Sequence, residues 1–295
     1  VNFRGLRAVD AVDAVDADGN ALQYYIVETS PAPGYKADTT AYGPYTVTAN
    51  DQEKPITFNG SNTLYNDVET GDLKLSKTQA GTKKSGDDQL KFSFSVKITP
   101  ANAAMAVNGL TFTGSDGKTY VSTGASNGSF VLKDTSGNEP TVGVGQTLTF
   151  QDLPAGQYSV SETGVIPSTA GEFQSSSSNA SGTISDDATP TAAFINTRME
   201  HKGKLTLTKK VRPAGSGDSG EALSGVVFTI KDAAGNTVGT MHESPAGSGV
   251  YVSDDLACET QDSSSRWYDN YTVYEDVPAG TYRSDGATGT IKLGT

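Results

Sequence analysis

Apolar and polar residues alternate along short runs of this chain, and one of those runs carries an anomaly: Leu73-Lys74-Leu75-Ser76-Lys77. In a strand, alternate side chains share a face, so Leu73, Leu75 and Lys77 point one way while Lys74 and Ser76 point the other. The leucines mark that face as core. A lysine there must be neutralised, paired or consumed chemically. The same arrangement recurs at Leu205-Thr206-Leu207-Thr208-Lys209, with Lys209 in phase. Phe92-Ser93-Phe94-Ser95-Val96-Lys97-Ile98 is a clean alternation with one apolar face. Other runs place a polar group in phase with apolar neighbours: Glu28 with Tyr24 and Ile26, Glu162 with Tyr158 and Val160, and Glu275 with Tyr271 and Val273. Asn196 is likewise in phase with Ala192 and Phe194, and Asn66 with Leu64 in a strand expected to close at Leu64-Tyr65-Asn66.

Turn signals separate these runs at Asp18-Gly19-Asn20, Ser115-Asp116-Gly117, Ser136-Gly137-Asn138 and Asp232-Ala233-Ala234-Gly235-Asn236, and Ser175 to Ser178 reads as a Ser-rich loop. No segment shows the period of an amphipathic helix. The pattern predicts an all-β chain of antiparallel sandwiches in series. Side by side, the segments share an order: an inward Lys on the first strand, an inward Glu late, and an inward Asn on the last. By that order residues 1–70 are the C-terminal part of a domain whose Lys strand precedes Val1. Residues 71–199 form a complete domain. Residues 203–295 form a domain lacking its last strand, with its Asn partner beyond Thr295. Thr197 to Lys202 is a short polar linker.

Composition narrows the function classes. A chain of 295 residues with 33 Gly and 12 Pro is long enough for two or three small domains. No run of about 18 apolar residues exists, so membrane insertion is not expected. No secretory leader is present, but a chain that begins within a half-domain is compatible with one upstream. A formal charge of -12 and a pI near 4.6 repel phosphate backbones, so nucleic acid is not an expected partner. The single cysteine, Cys258, rules out intrachain disulfides. Any extracellular robustness must come from another staple.

Lys77, Glu162 and Asn196 supply one. Three polar groups facing one core must satisfy each other. Burial lowers the pKa of a lysine and raises that of a glutamate, which favours a neutral amine beside a protonated acid. Such an acid can donate to the Asn side-chain carbonyl and shuttle protons. Attack of the amine on that carbonyl expels ammonia and leaves an amide, which buries no charge.

The stretches Tyr24-x-Ile26-x-Glu28-Thr29-Ser30-Pro31-Ala32-Pro33-Gly34-Tyr35 and Tyr271-x-Val273-x-Glu275-x-Val277-Pro278-Ala279-Gly280-x-Tyr282 resemble the glutamate box of Gram-positive pilins and collagen-adhesin B-type (Cna B-type) domains. The segment carrying Lys77, Glu162 and Asn196 resembles the larger streptococcal major-pilin variant of that fold. The resemblance implies tandem Ig-like sandwiches whose first and last strands are joined by a spontaneous Lys-Asn isopeptide bond. Carried over by position, Lys77 bonds Asn196 with Glu162 assisting, Lys209 and Glu275 form the second set, and Glu28 and Asn66 the first. Glu162 departs from the box, because Thr163-Gly164-Val165-Ile166-Pro167 follows it in place of the Ala-Pro-x-Gly-Tyr tail.

Other residues have plainer readings. Asp16, Asp18 and Asn20 have calcium-loop spacing, but Ala21 stands where such a loop needs glycine, so they read as a solvated turn. Cys258-x-x-Gln261 has thioester spacing without the usual companions, so Cys258 reads as an incidental thiol. His201 is expected in a linker and His242 in a loop, with no triad or zinc site between them. Trp267 and Tyr268 read as core. No cofactor or metal is expected, and no enzymatic activity beyond self-catalysed isopeptide formation. The expected role is a stalk or shaft at the extracellular cell surface: a sortase-linked Gram-positive pilus backbone or wall-anchored adhesin, whose partners are neighbouring pilin subunits or the cell wall. The alternative is an adhesin region that binds a host protein or glycan through the enlarged middle segment.

Overall fold

The computed structural model describes residues 6, 8, 15–48, 56–58, 60, 63–211, 220–264 and 266–276, and the backbone of 289–294. The chain is all-β, and among the described residues its helical content is two 3-10 turns, Asp87–Gln89 and Ala103–Met105. It divides into two units, residues 1–198 and 199–295.

The first unit opens with the hairpin-like pair β1 (Tyr24–Ile26) and β2 (Tyr42–Tyr45), which are antiparallel. Tyr35 bridges Val68, and the Glu69 amide donates to the Gly34 carbonyl at 2.9 Å, which ties the connection between β1 and β2 to the stretch leading into the next strand. Leu64-Tyr65-Asn66 was expected to be a strand and is not one. Two residues in phase are too short a run to fix a strand when no neighbour pairs with them.

The rest of this unit is a sandwich. Its first strand, β3 (Thr70–Ala80), is followed by β4 (Lys91–Pro100), β5 (Thr111–Thr113), β6 (Thr119–Ser126), β7 (Ser129–Asp134) and β8 (Thr141–Gly143). Then come β9 (Thr147–Pro154), β10 (Gly156–Ile166), β11 (Phe173–Ser178), β12 (Ser181–Ile184) and β13 (Thr191–Arg198). One sheet runs β11-β13-β3-β9; the other runs β12-β10-β4-β7-β6-β5, with β8 also on β4. Strands β3 and β13, distant in sequence, lie side by side and parallel. Leu73 and Leu75 from one sheet meet Phe92, Phe94, Val96 and Ile98 from the other, all fully buried, and the Phe94 and Phe194 rings meet edge-on at 5.0 Å. Each such side chain contributes roughly 1.5–3 kcal/mol by leaving water.

Ser175 to Ser178 belong to strand β11, not to a loop. Their backbone pairs with β13 along a sheet edge while the serine side chains remain exposed, so the ladder rather than side-chain burial holds them. Gly71, near the start of β3, has a backbone neighbour where a side chain would go: a Cβ there would lie 2.3 Å from the Ser185 carbonyl oxygen.

The second unit contains β14 (Lys202–Gly203), β15 (Thr206–Thr208), β16 (Val227–Lys231), β17 (Thr237–Glu243), β18 (Val250–Ser253) and β19 (Leu256–Ala257). It closes with β20 (Thr260–Gln261), β21 (Trp267–Asp276) and β22 (Gly289–Gly294). The main sheet runs β15-β18-β17-β16-β21-β20, with β22 also on β21, and β14 pairs with β19. Phe228, Ile230, Met241, Tyr251, Tyr271 and Val273 form its core with Leu205 and Cys258. His242, expected in a loop, lies in β17 opposite Val252.

Three turns share one construction. At Asp16, Asp134 and Asp232 the carboxylate Oδ1 accepts from the amides two and four residues on, and the Asn at the fourth position donates to Oδ2. The intervening glycines, Gly19, Gly137 and Gly235, have φ of 83°, 83° and 85°, the left-handed conformation that glycine adopts without steric cost. These amide contacts hold the Asp232 and Asp16 carboxyls below their usual range. Local capping therefore accounts for the spacing of Asp16, Asp18 and Asn20. Among the described residues, no three His, Cys, Asp or Glu side chains are grouped so as to hold a metal.

Candidate functional site

The first and last strands of the central sandwich bring two of the predicted groups into one sheet. Lys77 on β3 faces Phe194 on β13, and Asn196 faces Gln79. Both Lys77 and Asn196 are fully buried, as their phase demands. The third group comes from the opposite sheet. Glu162 lies on β10 opposite Phe94, at the last position before the register between β10 and β4 shifts. A bulge of this kind adds a residue to one strand and re-aims the side chains around it. Here the pre-bulge side chain faces inward across the core.

Glu162 bridges the other two. Its Oε2 accepts from Lys77 Nζ at 2.6 Å, and its Oε1 accepts from Asn196 Nδ2 at 2.6 Å. Both are at the short end of charge-assisted hydrogen bonding. The Glu162 side chain keeps 13% exposure, whereas that of Lys77 has 0%. Lys77 Nζ also sits 4.1 Å from the centre of the Phe92 ring. Burial lowers the lysine pKa, and the hydrogen bond and charge of Glu162 only partly oppose that shift. The site therefore favours a neutral amine more than water does.

Asn196 Oδ1 is buried and has no hydrogen-bond partner. The sequence had suggested an acid donating to this carbonyl, and the structure instead aims the amide nitrogen at Glu162. Turning the carboxamide by half a turn exchanges oxygen and nitrogen and puts the carbonyl against Oε1. That is the orientation a protonated Glu162 requires. On the outer side, Ser175 Oγ lies 3.4 Å from Glu162 Oε2.

Beside this trio lies a second polar group. Asp87 accepts from Gln79 Nε2 at 2.6 Å, from Arg198 Nε at 3.2 Å and from Arg198 Nη2. The signal was present in the sequence: Gln79 follows Lys77 by two positions and Arg198 follows Asn196 by two, so both are in phase with the inward face. Asp87 carried no such signal, because it sits in a 3-10 turn.

The other sequence-predicted groups also meet in part. Lys209 Nζ and Glu275 Oε2 are 2.8 Å apart, with side chains 24% and 12% exposed. Asn66 Nδ2 lies 2.8 Å from each Glu28 oxygen, and the Asp38 amide donates to Glu28 Oε2 at 2.8 Å. Asn66 reaches Glu28 without belonging to a strand. Val277, Pro278, Ala279, Gly280 and Tyr282 of the second glutamate box lie outside the described residues.

Cys258 is 1% exposed, within the core of the second unit, and burial raises its thiol pKa. That is the environment of an inert thiol rather than a reactive one. The His201 ring stacks on Trp267 at 4.5 Å, and the His201 carbonyl accepts from the Cys258 amide at 2.7 Å. His201, expected in a linker, is therefore part of that unit.

A family described only as a domain of unknown function, DUF7601, matches residues 71–198. No curated protein matches. Among solved structures, the chain is similar to a pilus-presented adhesin, Spy0125 (Cpa), at 22% identity and a TM-score of 0.30, over 44% of this chain and 27% of that one. It is similar to the Bacillus anthracis TIE protein at 19% identity and a TM-score of 0.36, over 77% and 32% of the two chains. It is similar to the major pilin from Streptococcus pyogenes at 19% identity and a TM-score of 0.32, over 58% and 66%. The chain thus spans about a quarter to two thirds of the length of these proteins.

Proposed function

We propose that this chain is part of a load-bearing stalk or shaft on a Gram-positive cell surface, as a pilus backbone or wall-anchored adhesin, and that its central sandwich locks itself with a Lys77-Asn196 isopeptide bond. The observation that carries this reading is the position of Glu162, whose two oxygens each bind one of the prospective reactants. In the dry core a proton passes from the Lys77 ammonium to Glu162, leaving a neutral amine and a neutral acid. The amine nitrogen attacks the Asn196 Cγ while Glu162 donates to the developing oxyanion. The added nitrogen then loses a proton, the departing amide nitrogen gains one with Glu162 as the relay, and the C–N bond breaks to release ammonia. The amide that remains has no charge to desolvate.

The topology gives this bond a mechanical meaning. It would join β3 and β13, the first and last strands of the sandwich, so tension on the two ends would load a covalent bond before the sheet hydrogen bonds. A chain in that role acts outside the cell, attached through sortase linkage to neighbouring subunits or to the wall. Intact mass is the test. Each bond formed removes one ammonia, so the protein should weigh about 17 Da less than its sequence requires, and Lys77→Ala or Glu162→Gln should restore that mass. A parent protein at full mass would sink the proposal.

A further inference from the structure

Isopeptide chemistry uses Lys77, Glu162 and Asn196 and gives no role to the polar layer next to them. That layer repeats the same plan with different groups. A carboxylate, Asp87, accepts from a carboxamide, Gln79, and from a cation, Arg198. The Asp87 and Arg198 side chains are 3% and 7% exposed, so this is an ion pair held in the interior. The cation is the difference. A guanidinium keeps its proton and is no nucleophile, so this trio stays a permanent ion pair where the neighbouring one can react. Burial pushes the Asp87 carboxyl up, but the Arg198 and Gln79 contacts outweigh it and hold the group below the usual carboxylate range.

The layer sits where the reactive strands end. Strand β3 stops at Ala80 and β13 at Arg198, so Asn196 is two residues from a terminus. Strand ends open at low cost unless something ties them down. Arg198 ties β13 in several directions. It grips Asp87 in the loop between β3 and β4, donates from Nη1 to the Ala170 carbonyl at 2.7 Å, and lies over the Phe173 ring of β11 at 4.6 Å. Asp87 is itself fixed by the Lys84 amide at 2.9 Å, and Leu90 of the same loop is buried in the core. The loop is thereby drawn over the end of the sandwich that houses Lys77.

We infer that the Asp87–Arg198 pair is a positioning device for the crosslink, clamping the ends of the first and last strands in register so that Asn196 is presented to Lys77 and water is kept out while the bond forms. The inference rests on the isopeptide reading. Reaction within a folded core needs the attacking nitrogen and the carbonyl carbon within about 3–3.5 Å, and a misplacement of about 1 Å can slow such a step by about 100-fold. A frayed β13 would cause a misplacement of that kind. The clamp acts through geometry and touches neither reacting atom.

The test follows ammonia loss by intact mass over time, in freshly purified parent protein and in Asp87→Asn, Arg198→Gln and Arg198→Lys. Folding is monitored by amide hydrogen exchange across β4. The expected result is complete loss of about 17 Da in the parent, with folded Asp87→Asn and Arg198→Gln losing it roughly 10- to 100-fold more slowly. Arg198→Lys, which keeps the charge pair, should recover part of the rate. Folded variants that close the bond as fast as the parent would overturn the clamp. If the charge variants do not fold, Arg198→Lys, which loses the fork on Asp87 and the Nη1 contact to Ala170, carries the test alongside Gln79→Met, which removes the Nε2 contact that helps hold Asp87; slower closure in either supports the clamp, and parental rates in both overturn it. A parent that keeps its full mass would overturn the isopeptide reading instead, and the clamp with it.

Discussion

Lys209 and Glu275 make in the second unit the contact that Lys77 and Glu162 make in the central sandwich, at 2.8 Å against 2.6 Å, but Lys209 keeps 24% of its side chain exposed and Lys77 none. Exposure changes what each pair contributes. Water reaches Lys209 but hardly Glu275, whose side chain is 12% exposed, so Lys209→Ala also strands a carboxylate and should cost about 1–3 kcal/mol. Lys77→Ala leaves a carboxylate without its cation in a dry core and should cost about 3–5 kcal/mol before any covalent tie is counted. Guanidinium denaturation of the two variants separates the outcomes; equal shifts in midpoint would contradict the contrast.

Asn196→Ala removes the proposed acceptor while sparing the ion pair. A crosslink between Lys77 and Asn196 closes a loop of about 120 residues, worth roughly 4–5 kcal/mol on the chain-entropy model. The variant should melt at a distinctly lower temperature than the parent and be cut by protease under conditions the parent survives. Equal melting temperatures would show that no bond constrains the unfolded chain.

Stability should depend on pH differently with and without the bond. Lys77 in the folded, uncrosslinked chain titrates below its ordinary 10.5 because burial disfavours its charge. Between the folded pKa and 10.5 the unfolded chain therefore binds more protons, and stability rises with pH across that window. In Asn196→Ala the urea midpoint should climb on moving from neutral toward alkaline pH, relative to Lys77→Met/Asn196→Ala, which lacks the group. Parallel pH profiles for the two variants would mean that Lys77 is not held in the dry core.

Gly71 offers a check on the sandwich that is independent of any chemistry. A Cβ there would meet the Ser185 carbonyl oxygen at 2.3 Å and that of Ala188 at 2.8 Å, both backbone atoms. Gly71→Ala should therefore push the 185–188 segment away and cost about 1–3 kcal/mol. Faster hydrogen exchange at the Asp72 amide, which donates to the Ala188 carbonyl at 2.8 Å, would register the displacement. Parental exchange and stability would mean that the 185–188 backbone does not approach Gly71 this closely.

Several features were legible residue by residue. The alternation at Phe92 to Ile98 foretold four buried side chains, and Leu73, Leu75 and Lys77 face inward as their phase requires. The Ser-rich stretch misled because its serines face solvent on both sides of an edge strand, which leaves no apolar stripe to mark it. His242 misled for a related reason: its exposed position in β17 gives no periodic signal. Asp87 was invisible because its partner Arg198 is 111 residues away and its own turn has no repeating pattern.

By itself the sequence determined which side chains point inward, because the two-residue period of a strand is a local property of the backbone. The shared order of Lys, Glu and Asn grouped the trio, but tertiary structure alone decided which atoms meet and what stands beside them. The parallel pairing of β3 with β13 put Lys77 and Asn196 in one sheet, the opposite sheet delivered Glu162 between them, and a loop brought Asp87 to Arg198. Those encounters depend on sheet order and chain closure over long separations, which no local pattern of apolar and polar residues encodes.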